Sequence, residues 1–195
     1  MNILLIGGSK SGKSHLAQDI TLKLADGGPA YYWAAMEPVD AEDNARIEAH
    51  LADRAGLGFI TIERGRDILS APEVCGGALL TSAVLFDSIT ALLANEMFKA
   101  DGACDSGAVR RCACELLKLS SESGHMVCVC DDVFRDGTVY NQTTEQYRRG
   151  LAHICRRLAA EFDSVYEITA GIIKVIKGHG PEGVLPSRKQ ETRCI

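Results

Sequence analysis

The sequence predicts a single-domain α/β fold built on a mainly parallel sheet with helices on both faces. Three observations carry that expectation. Short apolar runs alternate with amphipathic stretches along most of the chain. Two of the runs, 78–86 and 125–130, are almost continuously apolar, as strands covered on both faces are. The first run, 2–6, passes through a glycine-rich turn straight into an amphipathic segment, the order of a strand–loop–helix crossover.

Taken in order, residues 2–6 read as a buried strand and 7–12 as the glycine turn. Leu16, Ile20 and Leu24 fall at i, i+4 and i+8, giving the next helix one apolar face, and Gly27-Gly28-Pro29 ends it. Residues 30–35 form the second strand. The segment 41–54 is polar and helix-favouring, with Ile47 and Leu51 four apart, and 59–63 alternates as a strand does. Between the central strands 78–86 and 125–130, helices are expected over 89–98 and 109–119, with a mobile loop over 99–107. Thr143 and Gln146 have the spacing of a capping box, and Tyr147, Leu151, Ile154, Leu158 and Phe162 continue the stripe of a long helix. Residues 165–176 read as a strand or a hairpin broken at Gly171. The chain thus divides into a folded domain, 1–178, and a polar tail without periodicity, 179–195.

Of the 195 residues, 46% are hydrophobic and 24% charged, a balance that excludes a disordered or collagen-like chain. A net charge of −5 argues against a polybasic duplex binder, so no nucleic-acid partner is expected. No apolar run nears the roughly 20 residues of a bilayer span. The apolar stretch 3–6 is too short for a signal peptide, so a cytoplasmic protein without membrane insertion is expected. Eight cysteines without a secretory signal read as reduced thiols. The pairs Cys112/Cys114 and Cys128/Cys130 raise the question of zinc. A helix, however, turns the first pair about 200° apart, and the second alternates with valines as core residues of a strand do. No metal site is assigned to them.

The strongest chemical signal is Gly7-Gly8-Ser9-Lys10-Ser11-Gly12-Lys13-Ser14, which fits G-x-x-x-x-G-K-[ST]. Glycines let backbone N–H groups turn inward around phosphate oxygens, and the following helix N-terminus adds its positive end. Lys13 reaches the β- and γ-phosphates, and the Ser14 hydroxyl is placed to ligate Mg²⁺. Such a P-loop wants a carboxylate at the end of another strand for the Mg²⁺ shell. Asp87 is the natural choice, with a plain helix N-cap as its alternative; Asp131 and Asp132 form the competing pair. A second cluster is Arg46, His50 and Arg54, spaced by four, which share one face of a helix. Two arginines grip phosphate, and neighbouring positive charge keeps an imidazole neutral and nucleophilic toward phosphorus. The plainer reading of the same spacing is a solvated face with Glu42 and Arg46 paired.

The P-loop GGSKSGKS, the segment YYWAAMEPVDAEDNARIEAHLADR, the later FITIE and the run LFDSITALLANEMF together resemble one family. It is the bifunctional adenosylcobinamide kinase/adenosylcobinamide-phosphate guanylyltransferase of cobalamin biosynthesis. Tyr32, Asp40, Glu42, Arg46, Ile47, His50, Arg54, Phe59, Thr61 and Glu63 follow its pattern in order, and the resemblance spans roughly 1–178. It implies a RecA-like P-loop NTPase fold, a homotrimer, and a corrinoid as the small-molecule substrate. The resemblance makes His50 a guanylylated nucleophile and Lys13 its catalytic companion in the P-loop. Gly7 to Ser14, Tyr32, Trp33, Ala34, Leu51, Ala52, Asp53, Arg54, Glu63 and Asp87 are implied to lie against the nucleotide, GTP or ATP. Two departures stand out. Asp131-Asp132-Val133-Phe134 replaces N-E-V-G, and Cys155-Arg156 replaces an N-Q pair in the last helix. Three functions follow as expectations: the bifunctional enzyme, a P-loop small-molecule kinase without the guanylyl step, and a non-catalytic nucleotide-binding module.

Overall fold

A computed structural model describes residues 1–38, 51–52, 54–99 and 102–180. Its strands are β1 (Asn2–Gly7), β2 (Ala30–Ala34), β3 (Ile60–Glu63), β4 (Ala83–Asp87), β5 (His125–Asp131), β6 (Ser164–Thr169) and β7 (Ile172–Lys177). The helices named here are α1 (Lys13–Ala25), the single turn α2 (Pro72–Cys75), α3 (Ile89–Met97), α4 (Ala108–Ser121) and α5 (Gln142–Glu161). The strands form one sheet in the order β3-β2-β4-β5-β1-β6-β7. The first six run parallel, and β7 turns back antiparallel on β6. β1 and β2, joined by α1, are separated in the sheet by β4 and β5, the RecA-like arrangement of the P-loop NTPases.

Period-two patterning assigns each strand residue to one of two cores. Leu4, Trp33, Phe86 and Cys128 face α3, α4 and α5, meeting Leu92, Leu93, Leu116, Leu151, Ile154 and Leu158. Ile3, Leu5, Tyr32, Leu85 and Val127 face the other way, against Leu16, Ala17 and Ile20 of α1. All of these are buried, and a fully buried Leu or Ile contributes about 1.5–3 kcal/mol over an exposed one.

Several expectations are corrected. The apolar run 78–86 becomes strand only from Ala83. Its first half folds into turns after Gly76-Gly77, with the Ser82 hydroxyl donating to the Ala78 carbonyl at 2.9 Å and Leu80 left 55% exposed. The cap of α5 is Asn141, whose side chain accepts from the Thr144 N–H at 2.9 Å; the Thr143/Gln146 box lies inside the helix it was expected to start. Residues 99–107 are tied down where they are described: Lys99 N–H donates to Ala103 O at 3.0 Å, and Asp105 N–H to Met97 O at 2.8 Å. Of the two readings of 165–176, the hairpin is the one formed, turning at Ala170 and Gly171, both with positive φ. Of the expected helix 41–54, only Leu51, Ala52 and Arg54 are among the described residues, and all three are helical. Arg46, His50 and Asp53 lie outside them, as does the tail beyond Gly180.

Candidate active site

At Gly7 the backbone of β1 runs so close to β6 that a Cβ would sit 2.2 Å from the Ile168 carbonyl oxygen, an approach open only to glycine. The loop then doubles back through two left-handed residues, Lys10 at φ 57° and Gly12 at φ 91°. Among the described residues no side chain caps α1, and its first turn holds no acid. Its first N–H groups and positive end therefore face the loop, as anion binding requires. Lys13 is 5% exposed; its Nζ donates to Gly8 O at 2.6 Å and pairs with Asp131 Oδ1 at 3.0 Å. Ser11 Oγ is buried there without a hydrogen-bond partner among the described residues. Ser9 and Gly8 are exposed at the mouth, and Ser14 is half-buried one residue past Lys13.

The strand ends bring the carboxylates to the same edge. Asp131 lies opposite Gly7, and Asp87 and Glu63 both lie opposite Ala34. Helix α3 is capped by Ser88, whose hydroxyl accepts from the Ala91 N–H at 3.2 Å, so the N-cap alternative for Asp87 falls to its neighbour. Asp87 Oδ2 instead accepts from the Tyr32 hydroxyl at 2.8 Å. The Arg54 guanidinium stacks on the Tyr32 ring at 4.2 Å, and Phe59 meets that ring edge-on at 5.9 Å. Burial, reinforced by the Asp87 carboxylate, pushes the Tyr32 phenol far above its ordinary value against the opposing pull of Arg54. Tyr32 is thus a neutral hydrogen-bond donor at any working pH. Asp131 is the carboxylate that Lys13 engages, and its backbone N–H donates to Thr90 Oγ1 at 2.9 Å.

The remaining sequence-predicted residues fall differently. Trp33 is fully buried among the α3–α5 core, its Nε1 donating to Arg64 O at 2.8 Å, so only its backbone faces the strand end. Ala34 and Glu63 end β2 and β3 at the site edge; Leu51 and Ala52 are exposed. Cys112, Cys128 and Cys130 are buried and Cys114 is exposed, and no cluster of three metal-ligating side chains occurs among the described residues.

The loop after β5 is fixed by two residues that sequence reasoning missed, Arg148 of α5 and Arg135. Arg148, 8% exposed, bonds Val133 O at 2.8 Å, Asp136 O at 2.9 Å and Thr138 O at 3.2 Å, pinning the loop to α5. Asp132 N–H donates to Gly7 O at 3.0 Å, which fastens this loop to the P-loop as well. Arg135 pairs with Asp132 Oδ2 at 3.1 Å and with Glu167 of β6, holding the Glu167 carboxyl below its usual range. Asp132 Oδ1 is buried and has no hydrogen-bond partner among the described residues. Burial pushes this carboxyl up, Arg135 and Lys13 pull it down, and Glu167 adds to the rise.

A glycine loop closing on a helix N-terminus, a buried lysine and carboxylates at neighbouring strand ends define a P-loop nucleotide-binding protein of RecA-like fold. The CobU family, described as cobinamide kinase / cobinamide phosphate guanyltransferase, matches residues 3–176, and the chain belongs to it. That family places it among the transferases of cobalamin synthesis. No curated protein shows a significant match. Among solved structures, the chain is similar to the flagellar accessory protein FlaH from Methanocaldococcus jannaschii. The identity is 13% over 91% of this chain and 78% of that one, with a TM-score of 0.39. A KaiC-like protein from Pyrococcus horikoshii OT3 is 16% identical over 89% and 74%, TM-score 0.46. A type III secretion ATPase from pathogenic bacteria is 12% identical over 95% and 58%, TM-score 0.48. No helix among the described residues is long and apolar enough to cross a membrane.

Proposed function

We propose that the chain catalyses both reactions of its family's description. It phosphorylates the hydroxyl of adenosylcobinamide with ATP or GTP. It then transfers GMP from GTP, through a guanylylated His50, to adenosylcobinamide phosphate, giving adenosylcobinamide-GDP and pyrophosphate. The observation that carries the reading is the built P-loop, with its charged lysine buried beside Gly8 O and Asp131, inside a chain that matches the family over 3–176.

Phosphoryl transfer asks the protein mainly to position phosphates and place charge against them. Lys13 and the first N–H groups of α1 supply both. The half-buried Ser14 hydroxyl and Asp87 carboxylate are hard oxygen donors at the loop edge, the chemistry Mg²⁺ prefers, and they would hold it beside the nucleotide phosphates. When bound, Mg²⁺ neutralises charge on the β- and γ-phosphates. Tyr32 fixes Asp87, and Arg54, four residues after His50 in sequence, is anchored on Tyr32. Arg54 is thereby held at the site edge. The same reading makes the protein a cytoplasmic homotrimer that takes a corrinoid and a nucleoside triphosphate, without nucleic acid.

The test uses GTP labelled at the α-phosphate. Wild-type protein should acquire an acid-labile, alkali-stable GMP label. His50→Ala should lose the label and guanylyl transfer while keeping cobinamide phosphorylation, and His15→Ala, on the first turn of α1, should keep the label. A label that persists in His50→Ala removes the nucleophile assignment; cobinamide phosphorylation with no label in wild type leaves a kinase alone.

A further inference from the structure

Asp132 is an acidic residue beside the P-loop whose geometry the reading above does not use. Three bonds fix its place. Its N–H is tied to Gly7 O, its Oδ2 to Arg135, and the loop that follows it is locked to α5 by Arg148. The last of these ties is to the carbonyl of Val133, the next residue in the chain, so the aspartate backbone has little freedom. What remains is Oδ1, buried and without a protein partner among the described residues. A buried carboxylate oxygen left without a donor is costly, and such an atom beside a binding loop is matched by a ligand that brings the donor. Asp131 is not singled out in this way, because its Oδ1 is paired with Lys13 and neither of its oxygens is a buried atom without a partner. Nor is Glu167, because Arg135 and Lys174 hold its two oxygens.

Resting on the kinase reading, we propose that Asp132 is a catalytic residue that receives the hydroxyl of the phosphoryl acceptor. Oδ1 accepts the hydrogen bond of that hydroxyl and takes its proton as the oxygen attacks the γ-phosphorus. The bond from the γ-phosphorus to the bridging β–γ oxygen breaks, its electron pair leaves with the nucleoside diphosphate, and Asp132 returns the proton to water. Lys13, held beside Asp131 at the same loop edge, balances charge on the transferred group, and Arg135 occupies Oδ2, which leaves Oδ1 as the oxygen for the hydroxyl. The ligand class is therefore an alcohol, and the transition state is the in-line displacement common to phosphoryl transfer.

The experiment measures cobinamide phosphorylation and GMP labelling side by side in wild type, Asp132→Asn, Asp132→Glu and Arg135→Gln. A general base is worth about 10²–10⁴-fold. Asp132→Asn, which keeps the shape and the N–H bond to Gly7, should lower kcat for phosphorylation about 10²–10³-fold. Both KM values should stay within about threefold, and the label should be retained. Asp132→Glu should recover part of the rate, and Arg135→Gln should cost less than Asp132→Asn. A kcat near wild type in Asp132→Asn overturns the proposal and leaves the function standing. So does equal loss of label and kinase, which marks a structural tie to the P-loop, and so does an Arg135→Gln loss as large as that of Asp132→Asn. A wild-type protein that neither phosphorylates cobinamide nor takes the label overturns the functional reading and this proposal together.

Discussion

Lys13 lies at 5% exposure with a carbonyl and a carboxylate meeting its Nζ at 2.6 and 3.0 Å. A buried charge without such partners is strongly unfavourable, so the loop that wraps phosphate is also the loop that makes the lysine tolerable. Lys13→Ala should lower both nucleotide-dependent reactions by about 10²–10³-fold, the usual cost of losing one electrostatic clamp. Turnover and circular dichroism on the same sample check that the loss is chemical and not a loss of fold. A second residue makes a pH prediction. Burial, then the charges of Glu96 and Asp67, raise the Glu115 carboxyl above its ordinary value, and its Oε2 is a buried atom without a hydrogen-bond partner among the described residues. A carboxyl raised in the folded state stabilises the fold while protonated, and that contribution is lost as pH climbs from about 4.5 through the raised value. Glu115→Gln should therefore be the more stable protein at neutral pH, since the amide is not forced to carry a buried charge. Its advantage should shrink toward pH 4.5, as urea midpoints at the two pH values would record.

At the scale of elements, the spacing of β1 and β6 depends on one missing side chain. Gly7→Ala puts a methyl group 2.2 Å from the Ile168 carbonyl oxygen, so the strands must part. A loss of about 1–3 kcal/mol is expected, the range of other forced overpacking, together with weaker nucleotide binding; urea unfolding and ADP titration measure the two. The same elements show what a sequence can reveal. The P-loop was legible because its parts are contiguous, and strands and helices were legible wherever a period of 2 or 3.6 ran unbroken. Residues 78–82 misled because an apolar run does not say whether its backbone continues straight, and here the Leu79 carbonyl accepts from Gly124 across the sheet end. Thr143 misled because Asn141 supplies an equal cap one half-turn earlier. In the site, strand-end carboxylates could be named in advance. The pairs Arg135–Glu167 and Tyr32–Asp87 could not, since the first joins a loop to a strand across β1 and the second depends on the register of β2 with β4.

Across the whole molecule, one edge of the sheet gathers everything with chemistry. Gly7, Ala34, Glu63, Asp87 and Asp131 end five strands side by side, the edge where ligands of open α/β sheets bind. The opposite edge has a different task, and Met1 shows it: its amino group meets His125 Nδ1 at 2.7 Å, closing the start of β1 against the start of β5. That meeting of distant segments also sets a timetable. β1 is made first, yet its described neighbours in the sheet are β5 and β6, with Asn2 paired to Met126 and Ile3 to Ser164. At a synthesis rate of about 5–20 residues per second, the first strand waits roughly 6–25 s before the first of these partners exists. Throughout that interval α1 has only β1, β2 and β4 to lie on, and the phosphate loop lacks the wall that Asp131 and Asp132 supply. A nascent chain halted before β5 lacks the strand that sets Asp131 beside Lys13, so in this topology a completed phosphate site reports that synthesis has passed β5.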